Sequence, residues 1–125
     1  MAALKHSKQR DCIKRFLASR TDHPTADTFY MGIREELPTI SLGTVYRNLA
    51  QLSQSGEILS IHVADGFEHF DFVTAPHAHL HCKKCGAIID AKLDIEPLSK
   101  LSNDLGFTPQ NTIYVVYGIC KNCKQ

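Results

Sequence analysis

Residues 41–72 read SLGTVYRNLAQLSQSGEILSIHVADGFEHFDF, and a change of apolar period inside that stretch decides the fold of the first half of the chain. Ser41 can cap a helix whose buried stripe is Leu42, Val45, Leu49 and Leu52, spaced for a helical period, and Ser55-Gly56 ends it. From Leu59 the period falls to two. Leu59, Ile61 and Val63 alternate with Ser60 and His62, Ala64-Asp65-Gly66 offers an Asp-Gly turn, and Phe70 and Phe72 alternate with His69 and Asp71. This is the pattern of a β-hairpin. Its second strand should turn Glu68 and the two phenylalanines to one face and His69 with Asp71 to the other.

Upstream of that stretch, Lys5 to Arg20 sets Ile13, Phe16 and Leu17 on one helical face and Arg10, Lys14 and Arg15 away from it. His23-Pro24-Thr25 then supplies a boundary and an N-cap. Behind it Ala26, Phe29, Tyr30, Ile33 and Leu37 recur at helical spacing until Pro38. Three short helices followed by a hairpin are the plan of a winged helix-turn-helix. Downstream, Thr74-Ala75-Pro76 reads as a hinge and the chain changes character. His77, Ala78, His79, Leu80 and His81 alternate, so three imidazoles project from one side of an extended segment. Ile88 to Leu93 reads as a second strand, Asp94 to Leu105 as a helix closing on Gly106, and Thr112 to Ile119 as a strand. The fold class expected is therefore α+β: residues 1–73 a winged-helix domain, 74–76 a hinge, and 77–125 a small second domain of order β, β, α, β.

The 125 residues are 43% hydrophobic and 22% charged, a globular composition that excludes collagen-like, disordered and coiled-coil chains. No apolar run is long enough to span a bilayer, and Met1 to Arg10 is polar. A protein of the cytoplasm with no membrane partner is expected. Residues 1–55 hold 8 Lys/Arg against 5 Asp/Glu while residues 67–125 hold 6 of each, a modest basic bias compatible with a nucleic-acid face.

Four of 7 His and 4 of 5 Cys lie beyond residue 68. Cys82-x-x-Cys85-Gly86 and Cys120-x-x-Cys123 are two knuckle-type pairs separated by 34 residues. Four thiolates on two such turns suit a closed structural zinc site, with disulfides or a dithiol redox pair as the alternatives. A unit of about 50 residues buries little apolar surface, so a staple answers a physical need. Cys12, alone on the first helix, reads as a small buried core residue. The histidines call for a different ion. Imidazoles with carboxylates favour Fe(II) or Mn(II) beside Zn(II), which points to a second, exchangeable site. His6 and His62 read as surface.

His23-Pro24-Thr25-Ala26-Asp27, Thr44-Val45-Tyr46-Arg47-Asn48-Leu49, Phe70-Asp71-Phe72-Val73-Thr74, His77-x-His79-x-x-Cys82-x-x-Cys85-Gly86, Asp90 and the final Cys120-x-x-Cys123 together resemble the ferric uptake regulator family, and within it the peroxide-sensing repressor branch. Asp71 and Asp90 carry the second part of that resemblance, because iron-sensing members more usually have glutamate there. The resemblance implies a structural zinc on Cys82, Cys85, Cys120 and Cys123, and a regulatory Fe(II) or Mn(II) on His23, Asp71, His77, His79 and Asp90, one of each per subunit. It implies that peroxide acts on ferrous iron and that His23 and His77 are the ligands oxidised. It implies a homodimeric repressor rather than an enzyme, with the second domain as its dimerisation domain, binding double-stranded DNA at an AT-rich inverted repeat. Tyr46 and Arg47, with Thr44 and Asn48 beside them, are the expected reading residues, and Lys5 or Arg10 would reach the backbone or minor groove. Two positions depart from the family: His81 stands where an aliphatic residue is usual, and His69 where the peroxide branch often has arginine. Each is read as an auxiliary ligand or as polar surface. Iron-, zinc- or manganese-responsive regulation within the family is the alternative function. Outside it stand a small metallohydrolase, since His-x-His with aspartates also builds catalytic zinc sites, and a thiol oxidoreductase.

Overall fold

A computed structural model describes residues 2–92, 99–109 and 112–124. The element order is α1 (Ala2–Ala18), α2 (Ala26–Ile33), α3 (Leu42–Gln54), β1 (Leu59–His62), β2 (Glu68–Asp71), β3 (Ala78–Cys82), β4 (Ile88–Ala91), α4 (Ser99–Leu105) and β5 (Tyr114–Gly118). The chain divides into two compact units, Met1–Thr74 and Ala75–Gln125. It is a mixed helix and sheet fold, and among the described residues no helix is long and apolar enough to cross a membrane.

In the first unit the expected stripes become one core. Cys12, Ile13 and Leu17 of α1, Ala26, Phe29 and Ile33 of α2, Val45, Leu49 and Leu52 of α3, and Ile40, Ile58 and Phe70 form a single buried cluster. Phe16 meets Phe29 edge-on at 5.3 Å between ring centroids. α2 and α1 come so close that a Cβ on Gly32 would lie 2.8 Å from the Phe16 ring, so the absence of a side chain sets their approach. Caps define the starts of the second and third helices: Thr25 Oγ1 accepts the Thr28 N–H at 3.2 Å and Ser41 Oγ the Thr44 N–H at 3.1 Å.

Three local expectations shift. α2 ends at Ile33 rather than running to Pro38, because the next residues tighten into i to i−3 bonds, Glu35 N–H to Gly32 O and Glu36 N–H to Ile33 O. Leu37 still packs on the core from that turn. Leu42 is exposed, and Ile40, one residue ahead of the Ser41 cap, is buried in its stead. Ile40 and Val45 belong to one cluster, the spacing of a hydrophobic staple across a helix start. In the hairpin, His62 pairs with Glu68 and Leu59 with Asp71, so residues 63–67 make the turn. Phe70 is buried but Phe72 lies beyond β2 and is exposed, while Asp71 is buried.

The second unit is a three-stranded sheet of order β4-β3-β5. β4 runs antiparallel to β3, with His79 opposite Asp90. β5 runs parallel to β3, with Cys82 opposite Gly118. A parallel neighbour needs a crossover, and the segment containing α4 provides it. The observed strands Ile88–Ala91 and Tyr114–Gly118 are shorter than their expected spans, and the helix is described over Ser99–Leu105. Residues 93–98, on which the rest of the expected helix falls, lie outside the described residues.

Candidate metal centres and reading surface

Parallel pairing brings the C-terminal ends of β3 and β5 to the same edge of the sheet, which is what joins two cysteine pairs far apart in sequence. Cys82 ends β3, and Gly86 at φ 82 lets the following turn fold back so that its N–H bonds the Cys82 carbonyl at 2.9 Å. After β5, Cys123 N–H bonds the Cys120 carbonyl at 3.0 Å in the matching turn. The four sulfur atoms lie within 4.8 Å of one another, and Cys85 Sγ and Cys120 Sγ are 3.8 Å apart. Two sulfurs on a tetrahedral ion with Zn–S of about 2.3 Å would be separated by about 3.8 Å, so the donor set fits zinc.

The electrostatics of the four thiols are uneven. The N–H groups of Cys85 and Cys120 point at Cys82 Sγ, at 3.5 and 3.3 Å, and hold its pKa down at about 5. A hydrogen bond with Cys120, and then burial, push the Cys123 thiol up to about 12. One sulfur is ready as an anion and another resists becoming one. A divalent cation resolves that conflict by neutralising the crowded charge.

The imidazole and carboxylate groups form a set in each unit. In the second, Asp90 Oδ1 on β4 lies 3.0 Å from His77 Nε2 and 3.6 Å from His79 Nε2, and the two rings sit 4.3 Å apart. The register of β3 against β4 dictates the meeting of His79 and Asp90. His77 Nδ1 lies 2.8 Å from the Ala75 carbonyl, which can only accept. That bond orients the ring and aims Nε2 at Asp90, as a backbone carbonyl on one ring nitrogen does for a metal-binding histidine.

In the first unit, His23 is buried between α1 and α2 and places Nε2 3.4 Å from Asp71 Oδ2. The other oxygen of Asp71 accepts the Val73 N–H at 3.0 Å, which sets the carboxylate's angle. His23 has φ 51, a left-handed conformation that a residue with a Cβ holds only when its surroundings impose it. Those surroundings are β2: Phe70 N–H bonds the Pro24 carbonyl at 3.0 Å, and His69 Nδ1 bonds the His23 carbonyl at 2.7 Å. Nitrogen-to-oxygen spacings of 3.0 to 3.6 Å within these sets match neighbouring ligands around one ion at about 2.1 Å.

The two departures from the family pattern come out differently. His69 is taken up by the His23 carbonyl and by Asp65. His81 is 95% buried, meets Tyr117 edge-on at 5.6 Å, and has no hydrogen-bond partner for either ring nitrogen among the described residues. No spacing rule in the sequence signals either arrangement.

On α3, Tyr46 and Arg47 are exposed and Thr44 and Asn48 half-buried. Arg47 donates to Thr44 Oγ1 at 3.2 Å and Asn48 to the Thr44 carbonyl at 2.8 Å, so the first turn is internally braced. Tyr46 stands clear of the core, with its hydroxyl 3.4 Å from Asp27. Arg10 bonds Gln51 at 3.0 Å, bringing a cation from α1 beside the outer face of α3. The side chain of Lys5 lies outside the described residues.

The chain is similar to known proteins over nearly its whole length. A model of the ferric uptake regulator family matches residues 1–116. The peroxide-responsive repressor PerR of Staphylococcus epidermidis is 36% identical over 128 residues, covering 99% of this chain and 84% of that protein. The PerR of Staphylococcus aureus is 34% identical over 127 residues, covering 98% and 84%. The crystal structure of the Campylobacter jejuni peroxide stress regulator superposes with a TM-score of 0.82 at 34% identity, covering 96% of this chain and 92% of that one.

Proposed function

The chain belongs to the ferric uptake regulator family, and from that membership we propose that it is a metal-dependent, DNA-binding transcriptional repressor that senses peroxide. The observation that carries the reading is the placing of a short carboxylate against imidazoles in each unit, Asp71 with His23 and Asp90 with His77 and His79. Neither set alone offers more than three donors. Together they make three nitrogens and two oxygens, which suit an octahedral ion with one position open.

In this reading His23, Asp71, His77, His79 and Asp90 hold one regulatory Fe(II) or Mn(II) per subunit, and Cys82, Cys85, Cys120 and Cys123 hold one structural zinc. A ferrous ion held by these residues would supply the electrons that reduce peroxide, and His23 and His77 are the imidazoles that would take up the resulting oxidation. The His23 backbone is bonded by His69 on β2 and the His77 ring by the Ala75 carbonyl, so each imidazole has a support of its own. The joint at residues 74–76 separates the two donor sets along the chain, and an ion shared across it would bias how the reading surface is presented. A coupling of about 1–3 kcal/mol is typical of linked sites and corresponds to roughly 5- to 150-fold in DNA affinity.

The reading surface is the outer side of α3, with Tyr46 and Arg47 as base and backbone contacts, Thr44 and Asn48 beside them, and Arg10 and Lys5 as flanking cations. The protein acts as a homodimer on an AT-rich inverted repeat, is non-enzymatic, and works in the cytoplasm. Ile89, Val116 and Ile119 of the second unit are each nearly half exposed, an apolar surface that a second copy would cover.

Gel retardation of a duplex selected by this protein from a random library with Mn(II) present tests the reading. Wild type should retard it with Mn(II) and not without, and His77→Ala with Asp90→Ala should abolish the response. Treatment with Fe(II) and hydrogen peroxide should then add one oxygen atom to peptides holding His23 or His77. Metal-independent retardation overturns the repressor mechanism. Retardation with no oxygen gain overturns peroxide sensing in favour of a metal-uptake regulator.

A further inference from the structure

One side chain links the His23 backbone to the hairpin turn, and the metal chemistry leaves it unused. His69 on β2 has Nδ1 2.7 Å from the His23 carbonyl oxygen and Nε2 2.7 Å from Asp65 Oδ2. The carbonyl can only accept, so Nδ1 donates to it, and the ring spans the gap between that carbonyl and the carboxylate. The ring is 12% exposed, shielded from competing water. At its far end Asp65 also shapes the turn, with Oδ1 accepting the Phe67 N–H at 2.9 Å. At its near end the carbonyl belongs to the one non-glycine residue with positive φ among those described. The two ends of the ring therefore hold a strained ligand segment and a loop tip.

We propose that His69 is a positioning residue that carries the state of the regulatory site into the hairpin turn at residues 63–67. The inference rests on the reading of His23 as a ligand. When the His23 ring is held by an ion, its backbone loses freedom. The carbonyl can then no longer pivot, and the His69 ring and the Asp65 carboxylate bonded to it are held in turn. The wing that follows α3 stiffens, and DNA binding gains from a loop already ordered. An arginine guanidinium carries enough donors to meet both acceptors at once, whereas leucine fills the space and donates to neither.

Two quantities test this on the full-length, zinc-loaded protein: the fold gain in affinity for the selected duplex at saturating Mn(II), and the Mn(II)-induced slowing of amide exchange at Gly66 and Phe67. Wild type should show both; a wild type without an Mn(II) response defeats the function proposed above rather than this inference. His69→Leu should cut the gain at least fivefold and erase the slowing, with DNA affinity in the absence of Mn(II) within about twofold of wild type. His69→Arg should restore both. Asp65→Ser keeps a hydroxyl for the Phe67 N–H but falls short of His69, and it should lose the slowing while binding Mn(II) as wild type does. It serves equally if His69→Leu does not fold. Full gain in His69→Leu or in Asp65→Ser at saturating Mn(II), or a loss in His69→Arg as deep as in His69→Leu, overturns the proposal.

Discussion

In the first unit twelve buried side chains from three helices, the hairpin and the segments joining them make one continuous cluster. In the second, the buried apolar residues among those described are Ala78, Cys82 and Ile88, and the other buried positions there are His79 and His81. The two units thus reach stability by different means. Removing a Phe29 or a Leu49 from water contributes about 1.5–3 kcal/mol each, and the first unit has many such terms. The second has few and depends on sulfur atoms drawn together at the ends of two parallel strands. A hydrophobic core tolerates the loss of one contributor in proportion to its size. A four-thiolate site loses most of its function with any one ligand.

The comparison breaks most readily at Cys85. Cys85→Ser should release the zinc and with it a share of the order of 10 kcal/mol that metal binding contributes to folding. Amides of Leu80 and Val116 should exchange rapidly while those of Leu49 and Leu52 stay protected. Protection of both strands without zinc would show that the second unit stands on packing after all. Phe29→Ala is the converse test and should cost about 3–5 kcal/mol in the melting of the first unit, with zinc still held. Zinc release alongside it would show that the units do not stand separately.

Acidification sharpens the contrast by smaller steps. Cys82, held at about 5, is already anionic at pH 7, whereas Cys123, pushed up to about 12, must give up a proton to bind. Zinc affinity should therefore rise with pH through the window from 6 to 8, by about tenfold per unit for each proton displaced. Competition against a chromophoric chelator at three pH values measures this. A flat response would mean that zinc binding displaces no thiol proton in this range.

Much of this molecule was legible before its structure. The helical stripes of Phe29 with Ile33 and of Val45, Leu49 and Leu52 are local patterns, and local patterns survive folding when one side is buried. The hairpin and the cysteine pairs read equally well, because alternation and CxxC spacing are short-range signals. What was hidden depends on distant partners. The end of α2 at Ile33 is set by a tight turn that periodicity in Leu37 masks. The parallel pairing of β3 with β5 has no sequence signature. His69 looked like a potential ligand by its face on the strand, yet the His23 carbonyl and Asp65 claim it, and neither is visible from residue type. His23 itself was legible as a donor but not as a left-handed residue.

The sheet's order has a consequence for how the protein is made. Cys85 and Cys120 stand 35 positions apart, and β5 must pair alongside β3 before the second knuckle faces the first. During synthesis the helices and hairpin can assemble while the ribosome is still producing the segment that carries α4. The second unit has to wait, because none of its strands can close a tetrahedral site until the chain through Cys123 has emerged. A ribosome that stalls short of that point would release a finished reading head on an unfinished support, one bearing two thiols able to scavenge zinc and nothing to complete their shell.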